Sequence, residues 1–183
     1  MPPRETYAIE IAGIKRNLRL FEIKPGLKIA ILNILGDTEL VQACAKALSN
    51  KLKEVKFDVI VTAEAKSIPL AYALSVETGK PYIILRKAYK PNMGAAFIAE
   101  TLSITTGEPQ TLIMDEKDQL DAKGKRCLIV DDVISTGSTL QGMRMLMEKA
   151  GSKIAAEAAI LTEGERAKWE HIISLGHLPL FTE

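Results

Sequence analysis

The chain has 183 residues, 47% hydrophobic and 26% charged, with a formal net charge of +1. This is enough apolar material for one substantial core, so a single domain over residues 1–183 is the simplest organisation. The near-neutral balance excludes a strong nucleic-acid footprint. No apolar run approaches a membrane span, and Met1-Pro-Pro-Arg-Glu5 lacks the apolar stretch of a signal peptide; a cytoplasmic location, with no nucleic-acid or membrane partner, is expected.

Residues 1–26 fit no clear alternation. Residues 27–35 form an apolar run that ends at Gly36-Asp37, and Asp37 can cap a helix starting at Thr38. Through that helix Leu40, Val41, Cys44, Ala47, Leu48 and Leu52 recur at helical spacing. Residues 57–62 read as a strand, Ile68 to Thr78 as a helix stopped by Gly79, and Tyr82 to Leu85 as a strand. Residues 88–125 are too long for an ordinary connection. Within them, residues 102–106 and 111–114 alternate well enough for a hairpin, and the charged residues 115–126 read as a surface turn. Residues 127–130 form a short buried strand, 140–150 a helix stopped by Gly151, and 154–161 a strand whose alanines leave helix as a rival. The rhythm predicts an α/β fold, a mostly parallel twisted sheet flanked by helices, with a loop hairpin and a small hood from the chain ends, residues 1–26 and 162–183. Cys44 and Cys127 both fall in apolar surroundings, as buried thiols do. His171 and His177 have no cysteine nearby, which argues against zinc.

The densest chemistry lies in Val130-Asp131-Asp132-Val133-Ile134-Ser135-Thr136-Gly137-Ser138-Thr139. Two carboxylates stand at the carboxyl end of a strand, where open α/β sheets bind ligands. The small hydroxyl-bearing loop behind them opens a helix and is suited to a phosphate. A turn with a capping hydroxyl would explain the loop but not the acids before it. Upstream, Glu64-Ala65-Lys66-Ser67 follows one strand, and Arg86-Lys87-Ala88-Tyr89-Lys90-Pro91 follows the next.

These segments resemble the type I phosphoribosyltransferases, whose purine-salvage members include adenine and xanthine phosphoribosyltransferases. The resemblance covers about residues 27–161 and implies that family's fold, together with phosphoribosyl transfer from 5-phosphoribosyl 1-diphosphate (PRPP) to a purine base. It implies that Asp131 and Asp132 hold the ribose hydroxyls and orient a hydrated Mg²⁺. Ser135, Thr136, Gly137, Ser138 and Thr139 then hold the 5′-phosphate. Pyrophosphate falls to Glu64, Ala65, Lys66 and Ser67, with Arg86, Lys87 and Lys90 as cations. Ser67 stands where the family usually has glycine, and a strained or cis peptide bond is expected at Ala65–Lys66. The residues after Lys90 correspond to the family's flexible loop, where Thr105 takes the place of the glutamate of adenine-specific members. Asn33, Thr162 and Glu163 are base candidates, while Trp169 reads as a packing residue. Adenine is the first choice of base, then xanthine, or hypoxanthine with guanine. A homodimer is expected by the same analogy. A PRPP-sensing regulator without turnover is the rival from another class. No Gly-x-x-x-x-Gly-Lys-[Ser/Thr] loop is present, against a P-loop enzyme.

Overall fold

Within residues 1–26, expected in the hood without assigned strands, an antiparallel sheet forms in which exposed and more buried positions alternate along the strands. The computed structural model describes residues 4–102 and 109–182. Strands β1 (Thr6–Ile11), β2 (Ile14–Lys24) and β3 (Leu27–Ile31) form an antiparallel meander. The turn at Pro25-Gly26 holds Gly26 at φ 73°, a left-handed conformation that glycine adopts without strain. Residues 27–35 were expected to contribute to the α/β alternation. Instead β3 closes this hood, because its partners are β2 and the last strand, β11 (Phe181–Thr182).

Helix α1 (Thr38–Lys51) starts where predicted, with the Asp37 carboxylate accepting from the Leu40 amide at 3.2 Å. Strand β4 (Val59–Ala63) is wholly buried, and helix α2 (Ile68–Thr78) follows, ending at Gly79. Strand β5 (Tyr82–Leu85) comes next. The predicted hairpin exists as β6 (Phe97–Leu102) and β7 (Pro109–Met114), its first strand lying earlier than expected. Thr105 and Gly107 lie outside the described residues. Residues 115–126 contain a short helix, α3 (Glu116–Ala122), rather than a plain turn. It buries little beyond Ala122 and leaves Leu120 73% exposed, so no apolar stripe announced it. Strand β8 (Arg126–Ile134), helix α4 (Ser138–Lys149), strand β9 (Lys153–Glu163) and strand β10 (Ile173–Leu178) complete the chain. Residues 154–161 are therefore strand. Of the C-terminal residues expected in the hood, only Phe181–Thr182 joins it; β10 pairs parallel to β9 in the main sheet.

The main sheet is parallel, in the order β10-β9-β8-β4-β5. The chain moves outward from β4 to β5, then returns to β8 and proceeds the other way, so the direction reverses between β4 and β8. In open α/β sheets such a switch point leaves a crevice at the carboxyl ends of the two strands. One face of the sheet packs on α1, α2 and the hood through Leu40, Leu48, Leu70, Leu128, Val130 and Ile160. The other packs on α4 and the β6–β7 hairpin through Val61, Ile129, Leu112, Met114, Met143 and Leu146. Cys44 and Cys127 are free and buried, one in each core, and burial pushes the Cys44 thiol up to about 12. No helix among the described residues is long and apolar enough to cross a membrane.

Asp118 in α3 is half-buried beside Asp115, and burial first, then that neighbouring charge, raises its carboxyl to about 6. The folded chain thus holds this proton more tightly than the unfolded chain, where aspartate titrates near ~4. Its stabilising contribution is complete below about pH 4 and is lost as the pH rises through about 6. Asp118→Asn is expected to raise the thermal midpoint at pH 8 by roughly 2–4 °C, for about 1 kcal/mol, and to change it little at pH 4. Melts of both proteins at the two pH values check this; an equal shift at both would assign the effect to packing instead.

Candidate active site

The crevice is built where β4 stops pairing with β8. The β4–β8 ladder runs only to Ile129, whereas the β8–β9 ladder continues to Ile134. Residues 130–134 of β8 therefore have β9 on one side and the loop after β4 on the other. Asp131 and Asp132 lie within the strand rather than beyond its end, and Ser67 meets both. The Ser67 hydroxyl donates to Asp131 Oδ1 at 2.6 Å, lies 3.2 Å from Asp132 Oδ1 and accepts from the Asp132 amide at 2.9 Å. It is 2% exposed and makes no capping bond to α2. Asp132 Oδ2 is buried and, among the described residues, has no hydrogen bond, with Lys66 Nζ at 3.0 Å as its ion-pair partner. Burial and the charge of Asp132 raise the Asp131 carboxyl, against the lowering effect of Ser67.

The loop from Glu64 to Ser67 contains a cis peptide bond, at Glu64–Ala65, one residue before the position expected. The Glu64 side chain turns away from the acidic pair. It accepts from Arg86 Nε at 2.6 Å and from the Lys87 amide at 2.5 Å, joining the loops that follow β4 and β5. Burial opposes its charge, but these two donors hold its carboxyl below the usual range. Among the described residues the Lys87 and Lys90 ammonium groups have no ion-pair partner.

Beyond Ile134 the chain forms a concavity of about 40 Å³ lined by Asp131, Ser135, Thr136, Gly137, Ser138 and Thr139, among others. Gly137 precedes α4 at φ 84°, and the first turn of the helix lines this space, its Ser138 amide donating to Thr136 Oγ1 at 3.5 Å. Not every hydroxyl expected to serve a phosphate is free. Ser138 donates to the Leu102 carbonyl at 3.1 Å, and Thr139 donates to Gln110 Oε1 at 3.3 Å, both on the hairpin. Thr136 stays within the loop, 3.1 Å from Ser138 Oγ.

The base candidates separate. Thr162 pairs with Ile134 across the β8–β9 ladder, but its hydroxyl lies 2.9 Å from His177 Nδ1 inside the protein. Glu163 follows it at the end of β9. Asn33 lines a different space, a cavity of about 420 Å³ between hood and α1 that also includes Arg16, Leu18, Asp37 and Leu40. Arg16 closes one wall by a fork to Asp37, at 2.7 and 2.8 Å, and a contact to Glu39 at 2.8 Å.

Residues 31–174 match the phosphoribosyl transferase domain. The chain belongs to that family. The matched span takes in every candidate site residue from Asn33 to Glu163. An adenine phosphoribosyltransferase of Thermosipho africanus is 33% identical over 150 residues, 79% of this chain and 85% of that one. A hypoxanthine/guanine phosphoribosyltransferase of Methanotorris igneus is 38% identical over 120 residues, 64% of this chain and 62% of that one. The purine biosynthesis transcriptional repressor PurR of Bacillus subtilis is 29% identical over 143 residues, 78% of this chain but 49% of its own length. The fold is that of the adenine phosphoribosyltransferase of Thermoanaerobacter pseudethanolicus, with a TM-score of 0.70 at 24% identity over 87% of this chain and 95% of that one.

Two features of this phosphoribosyltransferase were not legible in its motifs. Gln110 reaches the phosphate loop from a hairpin strand, a contact that no local spacing announces. Trp169 packs in the second core, as expected, but its ring also lies against the phosphate loop: a Cβ on Gly137 would stand 2.7 Å from Trp169 Cη2. The lone tryptophan and the glycine of the loop were each visible in the sequence; their contact was not.

Proposed function

We propose that this chain transfers the 5-phosphoribosyl group of PRPP to a purine base, adenine being favoured. The observation that carries this reading is the meeting, at one sheet switch point, of a partly buried acidic pair, a helix-opening anion loop and a second loop bearing a cation. PRPP needs all three together. The bond from ribose C1 to the diphosphate breaks, its electron pair leaving with pyrophosphate. A base nitrogen then bonds to C1 and gives up its proton.

Asp131 and Asp132 accept from the ribose hydroxyls and stabilise the positive charge that grows on the ring. The phosphate loop, residues 135–139, holds the 5′-phosphate mainly through amides. Lys66 leaves Asp132 for the diphosphate as that anion enters, and the backbone of residues 64–67 lines its path. Lys87 and Lys90 add cations from the loop after β5, whereas Arg86 acts chiefly by holding Glu64. The base is assigned to the end of β9 at Glu163, Thr162 being committed to His177 and Asn33 lining the separate cavity under the hood. The donor set fits Mg²⁺: Asp132 Oδ2, buried with no hydrogen bond among the described residues, offers a hard oxygen beside Asp131. The acidic pair with substrate oxygens and water suits this ion's preference. When bound, it would neutralise diphosphate charge as the leaving group departs.

The test measures pyrophosphate release from PRPP and Mg²⁺ with adenine, guanine, hypoxanthine, xanthine, uracil and orotate in turn. Release with a purine and not with a pyrimidine is expected. The likeness to PurR supports a second reading, a PRPP-binding regulator, which predicts PRPP binding with no release for any base. Thr139 exchanges its bond to Gln110 for one to the phosphate as that anion enters, so Thr139→Val is expected to weaken PRPP binding by up to about 1.5–3 kcal/mol, the worth of a hydrogen bond to a charged group. Calorimetric titration checks it; unchanged affinity would remove Thr139 from the phosphate contacts.

A further inference from the structure

Glu163 is a buried carboxylate at the carboxyl end of β9 that has no partner among the described residues. It is 8% exposed, and among the described residues its carboxylate has no hydrogen bond and no ion pair. Burial alone pushes its carboxyl up. The other buried or half-buried glutamates nearby behave differently. Glu157, also on β9 and 7% exposed, is gripped by the Arg144 guanidinium, with His171 at 3.4 Å. Glu64 is held by Arg86 and the Lys87 amide. A carboxylate kept for stability has such donors, because desolvating it without them is costly.

The backbone at Glu163 is closely fixed. Its carbonyl accepts from Trp169 Nε1 at 3.1 Å, and it pairs with Leu178 of β10. The same indole lies against Gly137 of the phosphate loop. Glu163 therefore stands one indole away from the phosphate loop, at the carboxyl end of the strand next to the acidic pair. Phosphoryl groups would be repelled by it, and the ribose hydroxyls already have Asp131 and Asp132. The remaining reactant is the uncharged base, and what a carboxylate reads on a base is a hydrogen-bond donor.

We infer that Glu163 selects an aminopurine: its side chain accepts from the exocyclic amine and rejects the carbonyl oxygen that stands at the same position in an oxopurine. This rests on the phosphoribosyl-transfer reading and names the base class within it. Adenine and guanine share that chemistry. They are told apart by comparing adenine with hypoxanthine, which exchanges the amine at position 6 for oxygen, and guanine with xanthine, which does so at position 2.

The test measures kcat/KM for the four bases at saturating PRPP and Mg²⁺, in the native protein and in Glu163→Gln. In one of the two pairs the amine is expected to win by roughly 100-fold or more, because a site built to bond a group excludes the analogue lacking it. A glutamine amide can face either an amine or an oxygen, so Glu163→Gln should shrink that ratio at least about tenfold. The change should appear in KM for the base and leave KM for PRPP alone. Oxygen-bearing bases used equally well by the native protein, or a ratio unmoved in Glu163→Gln, overturns the assignment. If Glu163→Gln does not fold, the native ratios decide. If no base releases pyrophosphate, the activity reading fails. Quenching of the single tryptophan by each base, on protein loaded with PRPP and Mg²⁺, then gives the same ratio as dissociation constants. An aminopurine preference there upholds Glu163, and its absence overturns it.

Discussion

Replacing Asp131 and Asp132 together with asparagine is expected to lower turnover by at least about 10²-fold while the fold survives. The loss follows from their place beside the developing ribose cation. Removing fixed charge aimed at a transition state costs about 10²–10³ in rate even for one group in well-studied sites. Survival of the fold follows from local electrostatics. The two carboxylates crowd each other in a partly buried site, and burial together with the Asp132 charge already raises Asp131. Asparagine removes that repulsion, keeps an oxygen to accept from Ser67, and releases Lys66, which is half-exposed and can rehydrate. Steady-state kinetics beside a circular-dichroism melt would check both halves. Native turnover in the double variant would remove the acidic pair from the chemistry, and a collapsed melt would make it a structural element instead.

The second large effect is expected at Gly137. Any side chain there meets two obstacles at once. Its φ of 84° lies in the left-handed region, which costs an L-residue about 1–2 kcal/mol. A Cβ would also stand 2.7 Å from Trp169 Cη2, on a rigid ring held by its bond to the Glu163 carbonyl. Gly137→Ala should therefore lower stability by about 1–3 kcal/mol, weaken PRPP binding by more than tenfold through displaced amides, and shift the emission of Trp169. Adding Trp169→Ala to Gly137→Ala should relieve the clash but not the backbone strain. In a double-mutant cycle the two substitutions are then expected to couple by more than about 0.5 kcal/mol. Additive effects would show that ring and glycine do not meet in solution.

Gly137 also shows which parts of this site could be read before folding. The run from Val130 to Thr139 is contiguous, and its chemistry is set by local geometry: a buried strand, then acids, then a small loop, then a helix start. The caps and stops of α1 and α2 at Asp37 and Gly79 were legible for the same reason, since each acts within one turn of its own helix. By contrast, β3 belongs to the hood although its apolar run fits the strand–helix alternation. Its apolar run is compatible with either sheet, and only its antiparallel partners decide between them. Helix α3 was hidden because it is too polar and too exposed to show a stripe.

At the site the division is equally physical. The sequence by itself determined the kinds of groups present and their order along the chain: the acidic pair, the anion loop, the loop with Lys66, and the basic segment after β5. The tertiary structure alone decided which of them are occupied by one another. Ser67 and Asp131 are 64 positions apart and meet because β4 and β8 are neighbours in register. Thr162 lost its hydroxyl to His177, and Ser138 lost its own to Leu102, through ladders and packing that no spacing encodes. Among the described residues Glu163 is left without a partner for the same reason. Side-chain chemistry is a property of the residue, but whether a polar group is satisfied depends on what distant strands bring to it.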